Sequence, residues 1–194
     1  MKIILASASP RRRELMKLIT EDFDSVSTDA DETLPENIKA EKAAEFLSKI
    51  KADSAAEIYP DSIIIGCDTT VICGEKILGK PKDKNQCREY MKMLSGKSHK
   101  VITGCTIKRN NFYCTFSVCT EVFFRNLSNT DIEEYISTDE PYDKAGGYGI
   151  QGKGALLIEK INGDYFNVVG LPVSELNIRL KNFLKENQYE RSCI

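Results

Sequence analysis

The sequence predicts a mixed α/β fold, an α+β arrangement on one elongated, twisted mixed sheet flanked by helices. Three observations carry this. Helix-like and strand-like segments alternate along the chain. Ser62–Cys73 is β-branched and largely apolar, which suits a central strand. Two long strand-like segments, His99–Lys108 and Phe112–Phe124, flank Asn110-Asn111, a turn pair suited to a hairpin.

The elements follow in order. Ile3–Ala6 reads as a short buried strand. Ser9 is a good N-cap, with Pro10 at the first helical position, and the helix that follows should bury Leu15, Leu18 and Ile19. Residues 24–34 are polar and acidic, extended or looped. A second helix, rich in Ala, Glu and Lys, is predicted from Asn37 to Ile58. Gly74-Glu75-Lys76 turns the central strand into Ile77 and Leu78. A helix from Lys84 to Leu94 ends near Gly96, a C-cap residue. Ser128 or Asn129 should cap a short helix through Ile136. Glu140–Gly154 is a loop with five glycines. Ala155–Ile161 and Tyr165–Val169 are predicted to form a hairpin around Asn162-Gly163, and Pro172–Glu186 the last helix.

Composition bounds the function. A chain of 194 residues suits one domain over 1–194, large enough to bury a core without disulfides or structural metals. The net charge of -2 lacks the basic excess expected of a protein that grips long nucleic acid, but leaves room for a small anionic ligand. The N-terminal apolar run is too short for a signal peptide, and no stretch approaches the ~20 apolar residues of a membrane span. Cys67, Cys73, Cys87, Cys105, Cys114, Cys119 and Cys193 are odd in number and form no C-x-x-C pair. They read as reduced thiols, mostly small core residues, of a cytoplasmic protein.

Five segments could carry chemistry. Ser7-Ala8-Ser9-Pro10-Arg11-Arg12-Arg13 ends a strand and starts a helix with three arginines, which oppose the helix dipole unless an anion sits between them. A solvated basic helix start explains the segment equally well. Lys51 falls on the small, apolar helix face with Ala40, Ala44 and Leu47. One such lysine usually snorkels to solvent, unless a site lies at the end of that face. Asp68 interrupts a long apolar strand, where a carboxylate is costly to bury unpaired, so it is a candidate base or metal ligand. The alternative is an aspartate held locally by Thr69 or Thr70. Lys80, in Leu78-Gly79-Lys80-Pro81, could reach a phosphate or simply be solvated. The glycine-rich loop offers Asp143, Lys144 and Gln151, and its Tyr148 and Ile150 argue against a plain linker. Within it Gly147–Gly152 matches G-x-G-x-x-G, but no strand precedes it and no helix follows, so dinucleotide binding is rejected. His99 is the only histidine, which excludes histidine triads and multi-histidine metal sites.

The stretches LASASPRRREL, GCDTTV, GKPKD, MLSGKSHKVITG, EPYDKAGGYGIQG and INGDYFNVVGLP together resemble the Maf family across nearly the whole chain. The resemblance implies an inosine-triphosphatase-like fold with two lobes around a deep substrate cleft. It implies pyrophosphatase chemistry on nucleoside triphosphates, a divalent metal (Mg²⁺ or Mn²⁺) and a homodimer. The family's catalytic aspartate falls on Asp68 and its phosphate-binding positions on Ser7, Arg12, Lys51 and Lys80. An acidic position falls on Glu32, which with Asp68 is the candidate metal contact. Positions separating the dTTP/UTP branch from the 7-methyl-GTP branch fall on Arg11, Thr69 and Gln151. Arg11, where the latter branch carries tryptophan, resembles the dTTP/UTP branch. Cys67 and Gly147 depart from a frequent alanine, both to small residues. Other readings are a pyrophosphatase for modified pyrimidine nucleotides, a 7-methyl-GTP pyrophosphatase, and a regulatory binding protein in cell-division arrest.

Overall fold

The computed structural model describes residues 2–189, so Cys193 lies outside the described residues. Seven strands form one mixed sheet in the order β2-β1-β3-β5-β6-β7, with β4 paired to β3. β1 (Ile3–Ala6) runs parallel to both β2 (Asp24–Val26) and β3 (Ile63–Cys73). The other pairings, with β4 (Lys76–Leu78), β5 (Ser98–Arg109), β6 (Phe112–Phe124) and β7 (Ile158–Asn162), are antiparallel. The expected mixed sheet is therefore present, and Asn110 turns the β5–β6 hairpin with a φ of 50°.

Helix α2 (Ala43–Ile58) covers one face. Its Ala52 and Ala55 pack on Ile4 and Ile64, and its Ala44 on Ile72 and Ile102. The opposite face carries two separate packs. Helices α1 (Pro10–Met16) and α6 (Val173–Tyr189) bury Leu15, Met16, Leu176 and Leu180 against Ile63, Ile65 and Cys67. Helices α3 (Lys84–Leu94) and α4 (Asn129–Ile136) bury Met91, Leu94, Ile132 and Ile136 in a second core around Val71. Side chains of a strand alternate between faces, so Ile65, Cys67, Thr69 and Val71 share one face, and Thr69 falls in the break between the two packs.

The strand edge breaks at the same place. β1 accompanies β3 only as far as Gly66, and β4 joins it only from Val71. Residues 67–70 of β3 thus have no strand on that side, and a cleft opens there.

Several helix boundaries follow from capping. Ser9 accepts from Arg12 N, Asp83 from Gln86 N, and Ser128 forms a reciprocal box with Asp131. α2 begins later than Asn37, because Lys39 and Lys42 offer no side-chain acceptor and the chain enters through a tight 3-10 turn at Ala40–Lys42. α1 ends at Met16, so Leu18 is exposed and Met16 is buried in its stead. The expected second hairpin does not form. β7 pairs with β6, and Tyr165–Val169 is a short helix, α5, capped by the Asp164 side chain. Strand-favouring aromatic and β-branched residues are overridden there by the burial of Asn167. The six described cysteines are free thiols. Among the described residues no helix is long and apolar enough to cross a membrane.

α2 lies directly on the sheet backbone. A Cβ at Gly66 would come within 2.2 Å of Ser48 O, and one at Gly104 within 2.2 Å of Ala44 O. Gly104→Ala should therefore destabilise the protein by about 1–3 kcal/mol through overpacking. Gly79, with nothing within 4 Å of an added Cβ, should tolerate alanine to within ~0.5 kcal/mol. Urea midpoints at unchanged m-value check this, and equal midpoints for the two variants would refute the close approach.

Candidate active site

The cleft holds about 250 Å³ and is lined by Arg11, Arg12, Glu32, Lys51, Asp68, Thr69, Lys80 and Gln151, among others. Eight of the nine residues that the family resemblance assigns to the site therefore face one cavity. Ser7 does not. It is 7% exposed, and its hydroxyl accepts from Arg12 Nη1 at 3.2 Å and from Ser9 N at 3.3 Å.

Lys51 on α2 and Asp68 on β3 meet where the strand edge is uncovered. Lys51 Nζ lies 2.5 Å from Asp68 Oδ1 and 3.2 Å from Glu32 Oε1. The Lys51 and Asp68 side chains are each only 13% exposed, whereas Glu32, between β2 and α2, is 54% exposed. The pairing answers the cost of a carboxylate inside an apolar strand. Asp68 takes one of the three ammonium hydrogens in a hydrogen bond, while Glu32 stands at ion-pair distance.

Arg12 on α1 is woven into the scaffold. Its Nε donates to Gly170 O at 2.8 Å, Nη1 to Cys67 O at 3.0 Å as well as to Ser7, and Nη2 to Thr69 Oγ1 at 2.9 Å. Cys67 O belongs to the uncovered strand edge, so the guanidinium takes the place of a missing strand. Four of the five guanidinium donors are used, which leaves one N–H and the full positive charge facing the cleft.

The other wall is the glycine-rich loop. It folds into 3-10 turns, with Gly146 and Gly147 at φ of 73° and 70°. Glu140 ties it together: its carboxylate accepts from Lys153 N at 2.7 Å, Gly154 N at 3.0 Å and the Tyr135 hydroxyl at 3.2 Å. Gly146 N donates to Gly79 O at 3.1 Å, which joins this wall to the turn that carries Lys80. Lys80 and Gln151 are exposed, and neither side chain has a hydrogen-bond partner among the described residues. At the mouth Arg11 Nη1 lies 3.1 Å from Asp143 Oδ2, so an ion pair spans the two walls. Burial raises the Asp143 carboxyl, but hydrogen bonds from Lys144 and Arg11 outweigh it and hold the group below its usual range.

Within the loop, Tyr148 is 5% exposed and its hydroxyl lies 2.7 Å from His99 Nε2. His99, Phe124 and Tyr148 pack edge to face. Burial raises the Tyr148 phenol above its ordinary value and lowers His99 to about 4.

Sequence reasoning missed Glu140 as the organiser of the loop, and Thr103 and Asn167 behind Thr69. Asn167 carried a signal, a single amide within Tyr165-Phe166-Asn167-Val168-Val169, but the strand assignment hid it.

Residues 2–183 match the family model described as Maf-like protein. The chain is 50% identical over 180 residues to a dTTP/UTP pyrophosphatase of Clostridium novyi (strain NT), covering 91% of this chain and 94% of that protein. It is 51% identical over 176 residues to one from Thermosipho africanus (strain TCF52B), covering 91% and 90%. A solved HAM1 protein from Coxiella burnetii is similar in fold at a TM-score of 0.52, with 14% identity, covering 94% of this chain and 99% of that one.

His99 makes stability depend on pH. Its folded pKa of about 4 lies below its ordinary 6.5, so between those values the unfolded chain binds the extra proton. The contribution is complete above pH 6.5 and is lost as pH falls toward 4, by about 3 kcal/mol. Urea unfolding of wild type and His99→Gln over this range should show a smaller loss in the variant. Equal losses would mean that His99 is not held neutral by burial.

Proposed function

Because this chain belongs to the Maf family, we propose that it is a nucleoside triphosphate pyrophosphatase that splits dTTP and UTP into the nucleoside monophosphate and pyrophosphate. The observation that carries this reading is the shielded Lys51–Asp68 pair at an uncovered strand edge, within a cleft that also presents Arg11, Arg12 and Lys80. A triphosphate needs several cations in one cavity, and hydrolysis needs a carboxylate beside them.

In this reading water attacks the α-phosphorus in line with the departing pyrophosphate. Asp68 accepts the proton of that water. Charge spreads over the phosphoryl oxygens in the transition state, so catalysis is mainly positioning and electrostatics. Lys51 offers an ammonium N–H to phosphate while keeping Asp68 in place. Arg12 contributes its one remaining donor and its charge, and Lys80 reaches the triphosphate from the opposite wall with all three donors.

Glu32 and Asp68 converge on one ammonium, and among the described residues no cluster of three or more His, Cys, Asp or Glu could hold a metal. Such a donor pair fits Mg²⁺ or Mn²⁺, which take one or two carboxylates and fill the rest of their shell with phosphate oxygens and water. Such an ion would be held by Glu32 and Asp68 and would neutralise charge on the phosphates. The reading includes a cytoplasmic homodimer, on the strength of the family resemblance.

Incubation with dTTP and Mg²⁺ should yield dTMP and pyrophosphate, and Asp68→Asn should lower kcat by at least ~10²-fold, the low end for losing a general base. Release of orthophosphate and dTDP would place the attack at the wrong phosphorus. Near-normal turnover in Asp68→Asn would remove that residue from the mechanism.

Base specificity is expected at the mouth. Arg11 repels a cationic purine, and a guanidinium or the Gln151 amide can donate to the O2 and O4 of a neutral pyrimidine. The kcat/KM for dTTP and UTP should exceed that for CTP and for 7-methyl-GTP. Arg11→Trp should lower pyrimidine turnover without converting the enzyme. A wild type that prefers 7-methyl-GTP would overturn the base assignment and leave the reaction class intact.

A further inference from the structure

The hydroxyl of Thr69 belongs to a chain of hydrogen bonds whose direction can be deduced. Arg12 Nη2 can only donate, so at 2.9 Å Thr69 Oγ1 accepts from it. At the inner end Thr103 Oγ1 lies 2.9 Å from the main-chain oxygen of Asn167, which can only accept. The single hydroxyl hydrogen of Thr103 is therefore spent on Asn167. In the 2.9 Å contact between the two threonine hydroxyls, the hydrogen must then come from Thr69. Thr69 Oγ1 is left with no hydrogen for a ligand and one free lone pair, on a residue that lines the cleft.

The inner end is held firmly. Thr103 and Asn167 are both fully buried. The Asn167 side chain accepts from Thr103 N at 3.1 Å and donates to Val101 O at 3.0 Å and to Thr120 Oγ1 at 2.9 Å. Thr120 in turn donates to Asp164 O at 2.9 Å, so its hydroxyl hydrogen is committed too. Reversing the chain would forfeit the buried Thr103–Asn167 hydrogen bond and leave Asn167 O only the Gly170 N–H at 3.1 Å, which it shares with Phe166 O.

We propose that Thr103 and Asn167 are positioning residues for base recognition, because they commit the Thr69 hydrogen inward and present the cleft with a hydroxyl that can only accept. The proposal rests on the pyrophosphatase reading and deepens it. Uracil and thymine carry an N–H at N3. Cytosine carries a lone pair at that atom. An accept-only hydroxyl takes the N3–H of UTP or dTTP and meets the N3 of CTP lone pair to lone pair. A freely rotating threonine would donate or accept as needed and tell the two apart poorly. Selectivity thus lies in what holds the hydrogen of Thr69 as much as in Thr69 itself.

The test is Thr103→Val, which keeps the shape and removes the acceptor of the Thr69 hydrogen. The ratio of kcat/KM for UTP to that for CTP should fall at least ~10-fold from its wild-type value, about the worth of one hydrogen bond. Thr103→Ser keeps the hydroxyl and should retain the wild-type ratio. Damaged packing alone would lower both nucleotides together and leave the ratio in place. Should Thr103→Val fail to fold, Thr69→Val serves instead: it removes the accepting oxygen, and the ratio should fall similarly, chiefly through UTP. An unchanged ratio in the folded variant, or a wild type with equal kcat/KM for the two nucleotides, overturns the proposal while pyrophosphate release from UTP sustains the underlying reading. Absence of pyrophosphate from the wild type would overturn both.

Discussion

The contact of α2 with the backbone of β3 and β5 is the constraint on which the site depends. Two glycines, Gly66 and Gly104, remove the side chains that would otherwise separate helix from sheet. Gly104 pairs directly with Asp68 across the two strands. With the helix seated on the main chain, Lys51 meets Asp68 at 2.5 Å on a largely covered face. A helix held a side chain's thickness further away would leave a carboxylate in an apolar strand without its counter-charge. The glycines therefore act on the electrostatics of the cleft although neither touches it.

Arg12 solves the converse problem on the other face. The two helical packs meet β3 at different places, and the strand between them has lost its neighbours on one side. An exposed strand edge presents unpaired main-chain groups. The Arg12 guanidinium covers Cys67 O and reaches Gly170 O from the same plane. A lysine has the charge but not the planar fork, so it could not bind these acceptors and Thr69 together. Cation and scaffold are here one residue.

The sheet was legible in the sequence wherever propensity and periodicity agreed. β3 announced itself by its β-branched run, β5 and β6 by the turn pair between them, and α4 by its capping residues. α5 was not legible. Tyr165-Phe166-Asn167-Val168-Val169 has strand composition, and the buried partners of Asn167, supplied by Val101, Thr103 and Thr120 from distant segments, hold it helical together with the Asp164 cap. The candidate site was legible to the same depth. Asp68 stood out as a charge in an apolar run and Lys51 as a cation on an apolar face. Thr103 could not stand out, since a threonine in a strand is ordinary. Its importance lies in the direction of one hydrogen, which depends on a carbonyl many residues away. Arg12 was visible as charge, but its acceptors at Cys67 and Gly170 were not.

The parallel pairing of β1 with β3 has a bearing on how the chain reaches this state. Ile3 pairs with Ile63, sixty residues further on, whereas β5 and β6 are joined by a tight turn at Asn110-Asn111. Loop-closure entropy grows with the length closed, and non-local pairings are the slower ones to form. The hairpin is thus the natural nucleus, and the arrival of β1 the late event. Ser7 and Arg12 travel with β1, so the uncovered edge of β3 receives its guanidinium only when the most distant pairing in the sheet closes. The carboxylate and its helix can assemble before that moment. By this ordering the arginine-lined cleft is complete only once β1 has joined β3.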